Sequence, residues 1–290
     1  MKKYLEIGPL LYIFQADEEI EIMDICGHYF YDSLQEIKNK EHLRIIYCDI
    51  QRVEQFENIQ GNLVFQNSER MIFEYEGKEQ RLHFDCNGVY GIYREIDKNH
   101  IRIDLDKKIV QKIEVGILFL EMLALERWLL QENALVLHSS FIKWKEKGIV
   151  FTAPSGTGKS TQADLWHKYK NANIINGDRS IIYKNEQTKK FEVNGLPFCG
   201  SSGINLDQNA RLNAIIFLSQ SKVNKAVPIS KLSAVKRLFE EVSVNSWNPN
   251  FVEKSFNLID EIADQIETIY LECDISKEAV EVLEQLIEKR

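Results

Sequence analysis

The chain has no paired cysteines. Its five, Cys26, Cys48, Cys86, Cys199 and Cys273, are scattered and none stands in a C-x-x-C arrangement, which argues against a zinc knuckle or a redox dithiol. An odd, dispersed set fits reduced thiols in a cytoplasm. Long apolar runs are missing too. The longest, Val115 to Leu125, contains Glu121 and is too short to span a bilayer. The opening Met1-Lys2-Lys3-Tyr4-Leu5-Glu6 reaches acidic residues at once, unlike a signal peptide. The expected location is therefore cytoplasmic, with no membrane partner. Basic residues are in deficit: Lys and Arg number 36 against 44 Asp and Glu, a net charge of −8. That argues against a general nucleic-acid binder, which needs a basic surface to release counterions, but leaves room for a local basic pocket. There is no internal repeat and no low-complexity tract.

What is present is enough apolar material, 44% of 290 residues, for one large or two modest domains. Residues 1–108 carry short apolar runs broken by charge, such as Leu10 to Phe14, Ile45 to Cys48 and Met71 to Tyr75, and read as a β-rich region. Its Asp and Glu residues read as solvated faces, with no catalytic constellation among them. A helical stretch is expected from about Ile109 to Gln131, with Ile113, Ile117, Leu120, Ala124 and Trp128 on one face. Residues 109–290 form the second expected domain. Strands are predicted at Ala134 to Leu137, Gly148 to Thr152, Asn173 to Asn176, Ile181 to Tyr183, Ala214 to Leu218 and Thr268 to Leu271. Helices are predicted after residue 160, through Leu232 to Val242, through Phe256 to Ile266, and after Ser276.

Ala153-Pro154-Ser155-Gly156-Thr157-Gly158-Lys159-Ser160 matches the phosphate-loop (Walker A) pattern, with Ala at its first position. The chemistry explains the spacing. A triphosphate needs several donors converging on its oxygens, and Gly156 and Gly158 let backbone N–H groups curl inward. A helix beginning near Lys159 adds its positive end. Lys159 would reach the terminal phosphates, and Ser160, followed by Thr161, would hold Mg²⁺ beside ATP.

Three features flank the loop: His138 in Leu137-His138-Ser139-Ser140, Asp178 in Asn176-Gly177-Asp178-Arg179, and the small-residue run Gly195-Leu196-Pro197-Phe198-Cys199-Gly200-Ser201-Ser202-Gly203. Alone, His138 reads as a core histidine and Asp178 as a turn residue. Beside a phosphate loop, each becomes a candidate for catalysis, and Asp178 also for metal. Arg179 and Arg211 are candidate phosphate clamps or surface residues, and Cys199 reads as a small packed residue. Leu43 to Asp49 and Ile269 to Asp274 both imitate the apolar strand ending in Asp that often partners a phosphate loop.

Together, His138, the 153–160 loop, Asp178-Arg179, the Gly195 to Gly200 run, Asn213 to Gln220 and Tyr270 to Cys273 resemble the catalytic domain of HPr kinase and its relatives. These include kinases found beside genes for ribosomal (lasso-type) peptide modification. The resemblance covers residues from about 130 to 290. It implies an α/β fold of the HPr kinase and phosphoenolpyruvate carboxykinase type, behind a β-rich N-terminal region. It also implies ATP- and Mg²⁺-dependent phosphoryl transfer to a Ser or Thr hydroxyl of a protein or a ribosomal peptide precursor. Homo-oligomerisation is left open. The family carries two adjacent acids where this chain has Gly177-Asp178. A non-catalytic nucleotide sensor and a carboxykinase-type enzyme acting on a small acid are the alternatives.

Overall fold

In a computed structural model, which describes residues 1–38 and 40–288, the chain divides into two compact units, residues 1–128 and 129–290. In the first, strands β1 (Lys2–Ile7), β2 (Leu10–Gln15), β3 (Ile20–Ile22), β4 (Phe30–Tyr31), β5 (Arg44–Val53), β6 (Asn62–Gln66), β7 (Arg70–Tyr75), β8 (Lys78–Asp85), β9 (Gly88–Asp97) and β10 (His100–Asp106) supply nearly all of the structure. All but β3 join one sheet in the order β4-β1-β2-β5-β10-β9-β8-β7-β6. The pairs β2–β5 and β5–β10 are parallel and the rest antiparallel. The region is sheet-rich, as its short β-branched and aromatic runs predict.

The acids of this unit are not all solvated. β8 alternates, and its inward face carries Glu79, Arg81 and His83, all buried. Arg81 bonds Glu79 at 2.7 Å, pairs with Glu126 at 2.8 Å and lies against the Tyr93 ring. Glu79 also takes Arg127 at 3.2 Å. Asp104 is buried between Arg94 and Gln51. Alternation alone marks which residues point inward, not whether a buried carboxylate has found a guanidinium to make its burial tolerable.

The expected helix over 109–131 is instead a strand and two short helices: β11 (Ile113–Val115), α1 (Ile117–Met122) and α2 (Leu125–Gln131). β11 pairs in parallel with β3. The left-handed backbone of Ala124, φ 52°, separates the helices. The apolar residues that suggested one helical face are indeed mostly buried, but by different neighbours. Trp128 donates to Tyr93 Oη at 3.0 Å, and Arg127 pairs with Glu95. These bonds put residues 109–128 in the first unit, so the division falls at 128/129 and not at 108/109.

The second unit holds β12 (Ala134–Trp144), β13 (Lys147–Thr152), α3 (Lys159–Lys170), β14 (Asn173–Asn176), β15 (Arg179–Lys184), β16 (Phe191–Gly195), β17 (Asn209–Gln220), β18 (Lys225–Pro228), α4 (Lys231–Glu241), α5 (Pro249–Gln265), β19 (Glu267–Cys273) and α6 (Lys277–Glu288). The hydrogen-bonded path runs β13-β12-β15-β16-β17-β19-β18, and β17 also pairs with β13, so five strands close into a ring. β12 and β13 form a hairpin whose tight turn is Lys145-Glu146, both at positive φ. Apolar alternation sends Leu212, Ile215 and Phe217 of β17 to a core shared with α4 and α5. Ala214, Ile216 and Leu218 face α3 and α6. Ser230 caps α4 by accepting from Ser233 N, and Asn248 caps α5 by accepting from Phe251 N. No helix among the described residues is long and apolar enough to cross a membrane, which says nothing of a β-barrel.

β13, β17 and β19 run parallel, with Thr152 opposite Phe217 and Gln220 opposite Cys273. Their carboxyl ends share one edge.

Candidate functional site

At that edge β13 passes into the 153–158 loop and then α3. Gly156 and Gly158 have φ of 78° and 113°, which L side chains rarely adopt, and the space a Cβ would fill is open at both. The constraint on these two glycines is therefore backbone conformation, and their open side is where a ligand's oxygens could approach. Ala153 is buried in the core with Phe151 and Ala163. A methyl group at the loop's first position is thus accommodated by packing. Pro154, Ser155, Gly156 and Thr161 are exposed, with Thr157 and Gly158 half-buried. Gln220, at the end of β17, donates to the carbonyls of Gly156 and Thr157 at 3.3 Å each. Gln162 of α3 donates to Asp274 O at 3.1 Å. These two amides fix the loop and its helix to neighbouring strands.

Lys159 opens α3 and is 7% exposed. Its Nζ donates to Ala153 O at 2.8 Å. Burial pulls the ammonium's pKa below the ordinary lysine range, against the opposing pull of Glu241 and Asp178. A buried cation facing two carboxylates suits an anion that brings several negative oxygens.

Ser160 Oγ donates to Gly177 O at 3.3 Å, which places the turn carrying Asp178 beside the start of α3. That turn is organised by Asn176, the fully buried last residue of β14. Its Oδ1 accepts from Asp178 N at 2.8 Å and Arg179 N at 3.0 Å, while its Nδ2 donates to Leu196 O and Phe198 O at 2.7 and 2.8 Å. One side chain therefore joins the Asp178 turn to the Gly195–Gly203 run. Arg179 pairs with Asp178 at 3.3 Å and lies over the Phe198 ring.

Gly177 explains the single acid. A Cβ there would stand 2.0 Å from Ser202 Oγ and 2.5 Å from Ser202 Cβ, so no carboxylate fits beside Asp178. Gly200 likewise leaves room for the Asp178 carboxylate.

His138 lies in β12, opposite Arg179 of β15. Thr152 Oγ1 donates to its carbonyl at 2.9 Å. Its Nδ1 is 3.3 Å from Glu241 Oε2, at the end of α4. The structure thus brings Lys159, Ser160, Asp178 and His138 to one edge and adds Glu241, Asn176, Gln162 and Gln220. The hydroxyl of Ser160 and the carboxylate of Asp178 are the hard oxygen donors Mg²⁺ takes. Among the described residues no three of His, Cys, Asp and Glu gather as a metal cluster. Magnesium bound with phosphates keeps waters and needs only one or two protein ligands.

The remaining candidates fall elsewhere. Arg211 is opposite Lys147 at the start of β13, the far end of the strands from the loop. Asp49 belongs to the first unit and bonds His100 at 2.8 Å. Asp274 lies at the loop's edge, but its carboxylate accepts from Ser276 N and Oγ, which hold its pKa below the usual carboxylate range. Cys199 is buried, a packed residue.

No curated protein matches the chain. Among solved structures, the Hpr(Ser) kinase/phosphatase from Coxiella burnetii is weakly similar, with 10% identity over 53% of this chain and 88% of that one, and a TM-score of 0.30. Such a likeness is too slight to bear on chemistry. The model of the family described as "SynChlorMet cassette protein ScmC" matches residues 102–288, from within β10 to the end of α6. That match spans well over half of the sequence, and the chain belongs to the ScmC family.

Proposed function

We propose that this chain is an ATP- and Mg²⁺-dependent kinase of HPr kinase type that transfers phosphate to a Ser or Thr hydroxyl of a protein or ribosomal peptide precursor. The observation that carries the reading is the contact of Ser160 Oγ with Gly177 O. It joins the loop that would hold the phosphates to the turn whose carboxylate would face them. Backbone N–H groups of residues 156–160 and the Lys159 ammonium would bind and orient the β- and γ-phosphates. Ser160 and Asp178 would hold Mg²⁺, which supplies charge neutralisation on the transferring group. Phosphoryl transfer is mostly positioning and electrostatics, and these residues would provide both. A carboxykinase reading needs a pair of arginines beside the loop, and Arg211 stands at the far end of β17. The family is described as a cassette protein, so the acceptor is sought first among peptides encoded with it.

ATP·Mg is expected to raise the melting temperature of the wild type. Binding to the folded state alone stabilises by about 2.7 kcal/mol at a hundredfold excess over Kd. Lys159→Ala should lose most of that shift. Asp178→Asn should keep the fold by circular dichroism and lose about 10²-fold or more in phosphate transfer. Equal thermal shifts in wild type and Lys159→Ala would refute the loop assignment. Binding without single-turnover ATP consumption would make the chain a nucleotide sensor.

A further inference from the structure

Glu241 is the last residue of α4, the negative end of a helix, where a carboxylate is disfavoured. Its side chain is only 11% exposed, and its Oε2 sits 3.3 Å from His138 Nδ1. The helix end is pinned to the strand that carries His138. Val242 bridges Leu137, and Ser243 N donates to Val136 O at 2.9 Å. Thr152, the last residue before the loop, holds the His138 carbonyl. The imidazole therefore has Nδ1 engaged, while 34% of the side chain stays exposed. A carboxylate placed against the helix dipole, nearly buried and aimed at a histidine is held there by tertiary structure, not by local preference.

Resting on the kinase reading above, we infer that Glu241 is the second carboxylate of this site and acts through His138. It accepts a hydrogen bond from Nδ1–H, which keeps the proton on Nδ1 and leaves Nε2 as the acceptor for the proton of the attacking hydroxyl. It supplies on α4 what Ser202 prevents at Gly177. The acceptor oxygen bonds to the γ-phosphorus as the bond from that phosphorus to the bridging oxygen breaks. ADP leaves with the electron pair, and the hydroxyl proton passes to His138 Nε2. Glu241 stabilises the imidazolium so formed, which returns its proton to water after the product departs. Which imidazole nitrogen carries the proton is set by the bond the other nitrogen makes, so Glu241 is a positioning residue and His138 the group that meets substrate.

The test uses the full chain, Glu241→Gln and Glu241→Ala, with circular dichroism as the folding control. In nitrogen–proton correlation spectra of ligand-free protein at pH 8, His138 should be the Nδ1–H tautomer in the wild type. It should stay so in Glu241→Gln, whose amide oxygen accepts the same bond, and lose that preference in Glu241→Ala. With ATP·Mg and water as acceptor, kcat should fall about 10²-fold in both variants. KM should stay level or drop, because Lys159 loses a competing negative charge. A wild-type Nε2–H tautomer overturns the inference and leaves the kinase reading standing, as does a Glu241→Ala kcat within twofold of wild type. A wild type that neither binds a non-hydrolysable ATP analogue nor turns over ATP overturns the kinase reading, and the proton role with it.

Discussion

Gly177→Ala measures how firmly the second acid is excluded. The new Cβ would lie 2.0 Å from Ser202 Oγ and 2.5 Å from Ser202 Cβ, against a favourable carbon–carbon separation of about 3.5–4.0 Å. Rotating Ser202 moves its hydroxyl but not its Cβ, so the backbone near residue 202 must give by about 1 Å. That shift strains two bonds, Ser202 Oγ to Cys199 O at 2.7 Å and Ile204 N to Ser202 Oγ at 3.2 Å. Overpacking costs about 1–3 kcal/mol, and each bent hydrogen bond up to about 1 kcal/mol. Gly177 has no positive φ, so Gly→Ala returns about 0.4–1 kcal/mol through the unfolded chain. The net is a destabilisation of about 2 kcal/mol. Ser202→Gly alone should cost about 1–2 kcal/mol in lost bonds. The double variant should be no worse than Ser202→Gly, a coupling of about 2 kcal/mol. The assay is urea unfolding followed by tryptophan fluorescence, in which Trp144, Trp166 and Trp247 report on the second unit and Trp128 on the first. A Gly177→Ala protein as stable as the wild type, or effects that simply add, would refute the reasoning.

Two further outcomes test the first unit and its boundary. His83 is 3% exposed and its Nε2 has no hydrogen-bond partner in the structure. Burial, with Arg81 and Arg70 nearby, pushes its pKa from 6.5 down to about 3. Above pH 6.5 both folded and unfolded states hold it neutral. Below that the unfolded state takes up the proton first, so stability falls between about pH 6.5 and 3 by up to about 1.4 kcal/mol per pH unit. His83→Gln should flatten that part of the Tm–pH curve, and an unchanged slope would show that the folded histidine protonates freely. Second, a fragment of residues 129–290 should unfold in one cooperative transition. A 109–290 fragment, carrying β11 without β3 and Trp128 without Tyr93, should aggregate or melt broadly. Equal cooperativity in calorimetry would place residues 109–128 with the second unit after all.

How much was legible follows from what is local. The strand, loop and helix at 147–170 are written in adjacent residues, because Gly156 and Gly158 are needed for their φ and the apolar run before them for burial. Asp178 could be found because one helix and one returning strand fix its distance from Lys159. The 109–131 segment failed differently. Ile113, Leu120, Ala124 and Trp128 are buried, but a hydrophobic period records burial, not which neighbours do the burying, and the partners of β11 and Trp128 lie far back in the chain. Glu79 and Asp104 were misread as solvated because their guanidinium partners are set by strand register. Glu241 is over a hundred residues from His138, and its one local sign was a carboxylate at the end of a helix. Gln220 and Asn176 gave no sign, since a lone amide acquires its role only from the carbonyls the fold places against it.

The bonds of Asn176 also govern how the protein ages. Asn-Gly is the dipeptide most prone to deamidation, because an unbranched following residue lets its nitrogen attack the side-chain amide, and the chain holds three: Asn87-Gly88, Asn176-Gly177 and Asn194-Gly195. At Asn176 the reaction is blocked. The amide is clamped between Leu196 O and Phe198 O, and the attacking nitrogen, Gly177 N, is turned to Ile204 O at 3.3 Å. Asn194 is buried within β16, whereas Asn87 is exposed at the β8–β9 turn. A stored sample should therefore gain its extra negative charge at residue 87 while folded. An aspartate at 176 would record that the molecule had been open, and it could not close again unchanged. The new carboxylate would face two carbonyl oxygens where the amide had offered them hydrogens, and the turn that carries Asp178 would lose its tie to the 195–203 segment.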